Sequence, residues 1–246
     1  MKVTILGNGG AINDGLPYNA FTIDHTVLVE TPPDIIASLF REKISISSIE
    51  EIYISHFHGD HSFGFPFLAL RLFWEEMKGN QRKEIKLYAP HGGKEFLIDL
   101  TVRALSGEHP CISWIEEHIA FNSLFPEKEI RLGSYQLVPI RMEHFTETYG
   151  FILKEKSVPI FAYIADTKWS ENVEEIIKSG SPIILLDLNG EPDDPVPIHL
   201  SEEELMQRGF MLASAETVFY GTHLKYQKKS NSDKIVYVSP GMEIEV

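Results

Sequence analysis

The stretch that most constrains this chain runs from Ser55 to His61, where four side chains that can bind a metal fall within six positions: His56, His58, Asp60 and His61. A short apolar run ending at Ile54 precedes it and is typical of a β-strand. Imidazole and carboxylate groups suit zinc and similar divalent ions. Alternation along a strand would place His56 and His58 on one face, and Gly59 would let the chain turn towards a second ion. The spacing therefore favours a site for two metals over a histidine-rich surface turn.

Three further ligand-type residues follow runs that we predict to be strands. His144 comes after an alternating segment over 130–140, Asp166 after the apolar run Ile160 to Ala165, and His223 after a strand predicted over 217–220. Predicted strands first meander and then alternate with helices. This order predicts an α+β protein in which two sheets pack face to face with helices outside.

Composition limits the classes of function that are open to the chain. Its 246 residues are enough for one large domain, and we expect a single domain over residues 1–246. Gly7 comes too early for a signal peptide, and no apolar run reaches the length of a membrane span. The single cysteine, Cys111, excludes an internal disulfide and fits a reducing compartment. We therefore expect a cytoplasmic protein without a membrane partner.

The net charge of −14 argues against binding to nucleic acid, because such binding depends on clustered Lys and Arg that contact phosphates. Two bound divalent ions would nevertheless add positive charge where a substrate meets the site. The charge therefore favours a small-molecule substrate and still allows an anionic one.

Three other patterns carry structural predictions. The glycine-rich loop from Gly7 to Gly15 fits no standard phosphate-binding motif, and we interpret it as a backbone turn near the site. Helical spacing of apolar side chains after the cluster predicts a helix that buries Phe63, Phe67, Leu70 and Trp74. The run from Ser201 to Glu204 predicts a capping box for a helix through Gln207.

In their order and spacing, the 56–61 cluster, His144, Asp166 and His223 resemble the five-part signature of the metallo-β-lactamase superfamily, over nearly the whole chain. The resemblance implies a four-layer αββα sandwich and a dinuclear site that activates a bridging hydroxide. Carried over from that signature, one metal would be held by His56, His58 and His144. Asp60, His61 and His223 would hold the other, and Asp166 would bridge both.

Within the superfamily, the segments Val29 to Asp34 and Ile198 to Ser201 look most like the ribonuclease Z-related small phosphodiesterases, including the cyclic phosphodiesterase type of phosphonate breakdown. The resemblance implies that Asp60 and His199 are the catalytic candidates, with His199 protonating a leaving oxygen. Glu30 departs from the pattern, because an aspartate is common there. No long basic, glycine-rich arm of the kind that clamps tRNA is present in the sequence, which argues further against tRNA processing.

We therefore predict a metal-dependent hydrolase of a small phosphodiester, with two divalent ions, zinc first and manganese or iron as alternatives. A hydrolase of carboxylic esters, lactones or thioesters would use the same ions. An iron-dependent oxidoreductase and a non-catalytic metal-binding protein are the remaining alternatives. No organic cofactor is expected, and a homodimer is compatible with the sequence.

Overall fold

A computed structural model describes residues 1–79, 84–126, 128–191, 194, 196–230 and 232–246. The chain divides into two compact units. The first unit comprises Met1–Gly7, Pro17–Leu124 and Pro240–Glu245, and the second comprises Asn8–Leu16, Phe125–Ser239 and Val246. Within the described ranges, no helix has both the length and the apolar character needed to cross a bilayer.

The first unit contains a seven-stranded mixed sheet with helices packed on it. Its strands, in chain order, are β1 (Lys2–Gly7), β2 (Ala20–Ile23), β3 (Val27–Val29), β4 (Glu51–Tyr53), β5 (Ile85–Ala89), β6 (Ile119–Ser123) and β14 (Glu243–Glu245). Its helices are α1 (Ile35–Arg41), a 3₁₀ turn at Ile46–Ser48, α2 (Gly59–Ser62), α3 (Phe65–Met77), α4 (Gly93–Leu105) and α5 (Cys111–His118). The sheet order is β14-β1-β2-β3-β4-β5-β6, and the pairs from β3 to β6 are parallel.

Parallel strands covered by helices are largely buried: every residue of β4 and every residue of β5 except Lys86 lies in the interior. Helix α3 contributes Phe65, Leu68, Ala69 and Leu72 to this core, all fully buried. The prediction of a buried stripe is therefore wrong for Phe63, Phe67 and Trp74, which are exposed, whereas Leu70 is half-buried and packs against the core. Both stripes have helical spacing, so periodicity alone could not show which one meets the sheet.

The second unit contains another seven-stranded sheet. Its strands are β7 (Ile130–Leu132), β8 (Tyr135–Met142), β9 (Thr148–Glu155), β10 (Val158–Ile164), β11 (Ile183–Asp187), β12 (Val218–Thr222) and β13 (Ile235–Tyr237), and the sheet order is β13-β12-β11-β10-β9-β8-β7. Pairs from β7 to β10 are antiparallel, and pairs from β10 to β13 are parallel. The predicted meander, followed by strands that alternate with helices, is confirmed.

Two helices of the second unit begin after a serine whose side chain accepts a hydrogen bond from a backbone amide of the first turn. Helix α6 (Glu171–Lys178) begins after Ser170, whose hydroxyl accepts from the Val173 amide. The predicted capping box at Ser201 and Glu204 is confirmed. The helix that it starts continues past Gln207, through α7 (Glu202–Glu204), a π-helical turn (Leu205–Gly209) and α8 (Phe210–Leu212).

Candidate metal centre

The parallel strands of the second unit bring several polar side chains to one edge of its sheet. Strands β10, β11 and β12 are in register, with Ile164 beside Leu186 and Leu186 beside Gly221. Their carboxyl ends therefore lie side by side. Asp187 is the last residue of β11, His223 directly follows β12, and Asp166 lies two residues after the end of β10. Strand β8 runs in the same direction as β10, since both are antiparallel to β9, so His144 follows β8 at this edge as well.

These side chains surround two buried carboxylates. The Asp166 carboxylate lies 3.8 Å from His144 Nε2 and 3.7 Å from His223 Nδ1, and the second carboxylate, of Asp187, lies 3.4 Å from His223 Nδ1. Ligand atoms of Asp166, Asp187, His199 and His223 all lie within 4.8 Å of one another. Buried carboxylates need cationic or hydrogen-bonding neighbours, because desolvation penalises their charge. A set of carboxylates and imidazoles this close fits a divalent ion.

His199 is bound to Asp187 by a short hydrogen bond in which His199 Nδ1 donates to Asp187 Oδ2 over 2.6 Å. Burial lowers the pKa of His199, but the charge and hydrogen bond of Asp187, together with the charge of Asp166, raise it more, so its pKa lies above the ordinary value. Burial raises the pKa of Asp187, and the His199 and His223 side chains lower it below the ordinary value. The pair therefore favours an imidazolium next to a carboxylate.

His199 itself is placed by a backbone contact. The Gly190 amide donates to the Leu200 carbonyl over 2.9 Å, and a Cβ atom on Gly190 would lie 2.5 Å from the His199 carbonyl oxygen. Only a glycine allows this approach, so Gly190 fixes the segment that carries His199.

The glycine-rich loop contacts the segment that carries His223 through backbone hydrogen bonds. The Leu224 amide donates to the Asn8 carbonyl over 2.7 Å, and the Gly10 amide donates to the Leu224 carbonyl over 3.0 Å. His223 has a left-handed backbone, with φ of 61°. A Cβ atom on Gly10 would lie 3.1 Å from His223 Cε1 and 2.8 Å from the Asn189 side-chain nitrogen. The loop therefore packs against His223, in agreement with its interpretation as a backbone turn.

In the first unit, the residues of the 56–61 cluster come together after β4. The imidazole centroid of His56 lies 4.6 Å from that of His58 and 4.2 Å from that of His61. Asp60 Oδ2 lies 3.4 Å from His61 Nε2. The cluster follows the end of a strand, as predicted, since β4 ends at Tyr53. His56 and His58 occupy the loop before α2, so alternation along a strand does not set their positions. A loop and one helical turn bring the rings together instead.

Glu30 supports this cluster from the position directly after β3, the strand next to β4. Its side chain is fully buried; Oε2 accepts from the Ser55 amide over 3.1 Å, and Oε1 lies 3.4 Å from His61 Nδ1. The Ser55 hydroxyl lies 2.9 Å from His56 Nδ1. The contact of Glu30 with His61 and that of Ser55 with His56 both involve the Nδ1 atom of the ring. They leave Nε2 as the nitrogen that can face a metal, which is the usual arrangement of outer partners around ligating histidines.

Each unit thus gathers part of the predicted set. The first unit brings together His56, His58, Asp60 and His61, and the second brings together His144, Asp166, His199 and His223. Sequence reasoning gave no role to Asp187, although it ends a buried strand just as Asp166 follows one. That shared pattern was the signal that could have identified it.

Comparison with known proteins establishes the family. A family model described as "Anti-Pycsar protein Apyc1" matches residues 1–235. Ribonuclease Z from Picrophilus torridus is 27% identical over 165 residues, which cover 64% of this chain and 48% of that protein. Ribonuclease Z from Listeria monocytogenes is 29% identical over 168 residues, which cover 64% of this chain and 51% of that protein. The chain spans about half the length of these curated relatives.

Solved structures share the fold across the whole chain. The metallo-β-lactamase fold protein YhfI from Bacillus subtilis has a TM-score of 0.76 at 15% identity, with 99% of each chain covered. The short form of human tRNase Z has a TM-score of 0.74 at 19% identity, covering 100% of this chain and 99% of that one. A diphosphatase from the PhnP family has a TM-score of 0.72 at 19% identity, covering 99% and 96%.

These similarities confirm the predicted αββα metallo-β-lactamase fold and the resemblance to ribonuclease Z-related proteins. Because the family model covers nearly the whole sequence, the chain belongs to the Anti-Pycsar protein Apyc1 family.

Proposed function

We propose that residues 1–246 form one metallo-β-lactamase-fold domain that hydrolyses a small phosphodiester with the help of divalent metal ions. The observation that carries this proposal is the hydrogen-bonded pair of His199 and Asp187, set beside the Asp166 carboxylate at the edge of a sheet. A positioned imidazolium next to candidate metal ligands suits a reaction whose leaving group needs a proton.

The proposed metal ligands are the seven residues that the resemblance implies. His56, His58 and His144 would hold one ion, Asp60, His61 and His223 the other, and Asp166 would bridge them. The donor chemistry supports this assignment, because the set contains only imidazoles and carboxylates, which suit zinc first and also manganese or iron. When bound, such ions supply an activated water and stabilise negative charge on the substrate.

The protein side chains supply the proton and the orientation. Asp187 accepts from His199 Nδ1, which fixes the ring and leaves Nε2 as the nitrogen that can donate to a leaving oxygen. The raised pKa of His199 shifts the ring towards the protonated form that can donate. We propose that His199 is the general acid, and that Asp60 serves the reaction as a metal ligand.

The names of the relatives favour a phosphorus–oxygen bond as the target, since they include ribonuclease Z and a PhnP-family diphosphatase. The net charge of −14 argues against a polynucleotide such as tRNA, in spite of these ribonuclease relatives. A small phosphodiester satisfies both observations.

Elemental analysis combined with a substrate panel tests the proposal. We expect close to two metal ions per chain, mainly zinc, and hydrolysis of bis(p-nitrophenyl) phosphate in preference to a p-nitrophenyl ester, a lactone, a thioester and a tRNA precursor. Asp166→Ala should lose metal and activity together. His199→Ala should lose turnover while its metal content stays unchanged.

His25→Asn is a matched control, because His25 lies in a hairpin turn of the first unit with φ of 57°, which asparagine tolerates. It should keep both metal and activity. Full activity of His199→Ala towards the phosphodiester would exclude the acid role. Faster turnover of a lactone, ester or thioester would replace the phosphodiesterase proposal, and iron with oxygen uptake would indicate an oxidoreductase.

A further inference from the structure

The residue between the first two histidines of the 56–61 cluster contacts helix α4. The ring of Phe57 stacks on that of Phe96, with the ring centroids 4.6 Å apart and the ring planes inclined by 23°. Both side chains are half-buried and pack against the core of the first unit. The imidazoles of His56 and His58, which flank Phe57 in the chain, have their centroids 4.6 Å apart. The chain between two proposed metal ligands is therefore anchored on α4.

Helix α4 approaches the Phe57 ring closely at its first residue, Gly93, which is buried. A Cβ atom on Gly93 would lie 3.4 Å from Phe57 Cζ and 3.0 Å from the Cβ atom of Ala89, the last residue of β5. Carbon atoms normally pack at about 3.5–4.0 Å, so a glycine here lets α4 begin against both the ring and the sheet. Gly93 and Phe96 are three residues apart and share one face of the helix. The Phe57 ring therefore lies against two positions of that face.

Backbone hydrogen bonds hold the same short segment from the side of helix α2. Ser62 Oγ donates to the His58 carbonyl over 2.9 Å and lies 3.2 Å from the Phe57 carbonyl. The His61 amide also donates to the His58 carbonyl, over 3.1 Å. These contacts restrain the carbonyl groups of residues 57 and 58, whereas the stacked ring restrains the segment from the side of α4. The position of the two histidines thus depends on contacts with both helices.

A side chain at position 57 affects metal binding as well as the core, because both of its neighbours in the chain are proposed ligands. Zinc ligands must come within about 2.0–2.2 Å of the ion, and a displacement of about 1 Å makes a site too loose. An aromatic pair prefers a defined stacked arrangement, which an aliphatic side chain in the same space does not impose. The stack therefore restrains the direction in which the neighbouring imidazoles project.

We propose that the stack of Phe57 on Phe96 positions His56 and His58 for metal binding. Both phenylalanines are positioning residues, since neither offers a ligand atom. The inference rests on the proposed metal centre and extends its support to helix α4. Without the stack, the metal ion must itself order the loop, and the cost of that ordering lowers its affinity.

A double-mutant cycle measured on zinc affinity tests the proposal. Phe57→Leu and Phe96→Leu each keep an apolar side chain but lose the aromatic stack. In equilibrium dialysis of the metal-free full chain, each should weaken zinc binding by about 2- to 10-fold, the range that aromatic pairs contribute. The double variant should bind no more weakly than the weaker single variant, because one substitution already removes the contact. Losses that multiply in the double variant would overturn the proposal, and so would wild-type affinity in either single variant.

Phe73→Leu is the matched control, because Phe73 is half-buried against the same core but its ring lies 6.3 Å from those of His109 and Trp114. It should lower the stability of the metal-free protein in urea and leave zinc affinity unchanged. Equal loss of zinc affinity in this control would assign the effect to general destabilisation and overturn the positioning role. A wild-type chain that binds no zinc would overturn the proposed zinc centre itself, and this inference with it, which distinguishes the two failures.

Discussion

The Nδ1–H of His199 donates to Asp187 Oδ2 over 2.6 Å, and both side chains lie at the edge of the second sheet. Asp187 is almost fully buried, and its other carboxylate oxygen accepts from the Asn189 amide over 2.9 Å. A carboxylate that is held on both oxygens cannot easily turn, so it fixes the imidazole in one tautomer and one orientation. The structure thereby gives Asp187 a positioning role for His199.

Asp187→Asn is expected to lower kcat towards a phosphodiester by about 10- to 100-fold at saturating zinc, because outer partners of histidines contribute on that order. The asparagine keeps the shape but loses the charge that favours the protonated ring. Steady-state kinetics and metal analysis of the same sample provide the measurement. Asp99→Asn removes an exposed carboxylate paired with Arg103 and serves as a control with wild-type kcat. Equal kcat in the two variants would contradict the role of Asp187.

The His199–Asp187 pair also predicts a pH dependence of the metal-free protein. The pKa of the His199 imidazole should lie above 6.5, and Asp187→Asn should lower that pKa, because the Asp187 carboxylate is the chief cause of the rise. The folded state then binds this proton more tightly than the unfolded chain. The pair therefore stabilises the fold fully between the ordinary pKa values of the two groups, 3.8 for Asp187 and 6.5 for His199. This contribution is lost as the pH rises through the folded pKa of His199 or falls through the folded pKa of Asp187. Titration of the imidazole by NMR measures both values, and an unchanged pKa in the variant would contradict the prediction.

Much of the candidate site could be predicted from strand ends alone. Asp166 and His223 each follow a predicted strand, and parallel strands carry such residues to one edge. The contact of His199 with Asp187 joins residues 12 positions apart, across a segment without periodic pattern. The strand end could have identified Asp187 as a candidate, but no local signal encodes its contact with His199.

The fold was predictable where the pattern had one interpretation. The meander and the capping box at Ser201 have local signatures, and both are confirmed. Helix α3 has two apolar stripes, and the choice of Phe67 and Trp74 as core was wrong because the sheet takes up the other stripe. The segment over 107–125 mixes polar and apolar residues without a clear period, and the structure shows there α5 followed directly by β6.

Gly10 is expected to support tight metal binding although it offers no ligand. A Cβ atom at this position would crowd His223 Cε1 at 3.1 Å and the His223 carbonyl at 3.0 Å. Gly10→Ala should therefore displace the His223 ring and weaken zinc affinity by about 10-fold or more, as loss of support around a ligand does. Equilibrium dialysis measures the affinity. In Gly107→Ala the new Cβ meets only Val102 Cγ1, at 3.7 Å, so that variant should bind zinc like wild type; equal affinities would contradict the packing argument.

Glu30 is expected to hold the histidine cluster of the first unit in shape. Glu30→Ala leaves the Ser55 amide without its carboxylate acceptor and removes the charge beside His61 Nδ1. A buried donor without its acceptor costs about 1–3 kcal/mol, so urea unfolding of the metal-free variant should show a loss of that size. Glu50→Ala, at an exposed position one residue before β4, should change the unfolding free energy by less than about 0.5 kcal/mol. Glu30→Asp tests whether the reach of the side chain matters as well as its charge. The aspartate side chain is shorter by one methylene, so it should keep the charge but contact Ser55 and His61 less well. Its unfolding free energy should lie between those of wild type and Glu30→Ala. A Glu30→Ala protein as stable as Glu50→Ala would show that the carboxylate supports neither Ser55 nor His61.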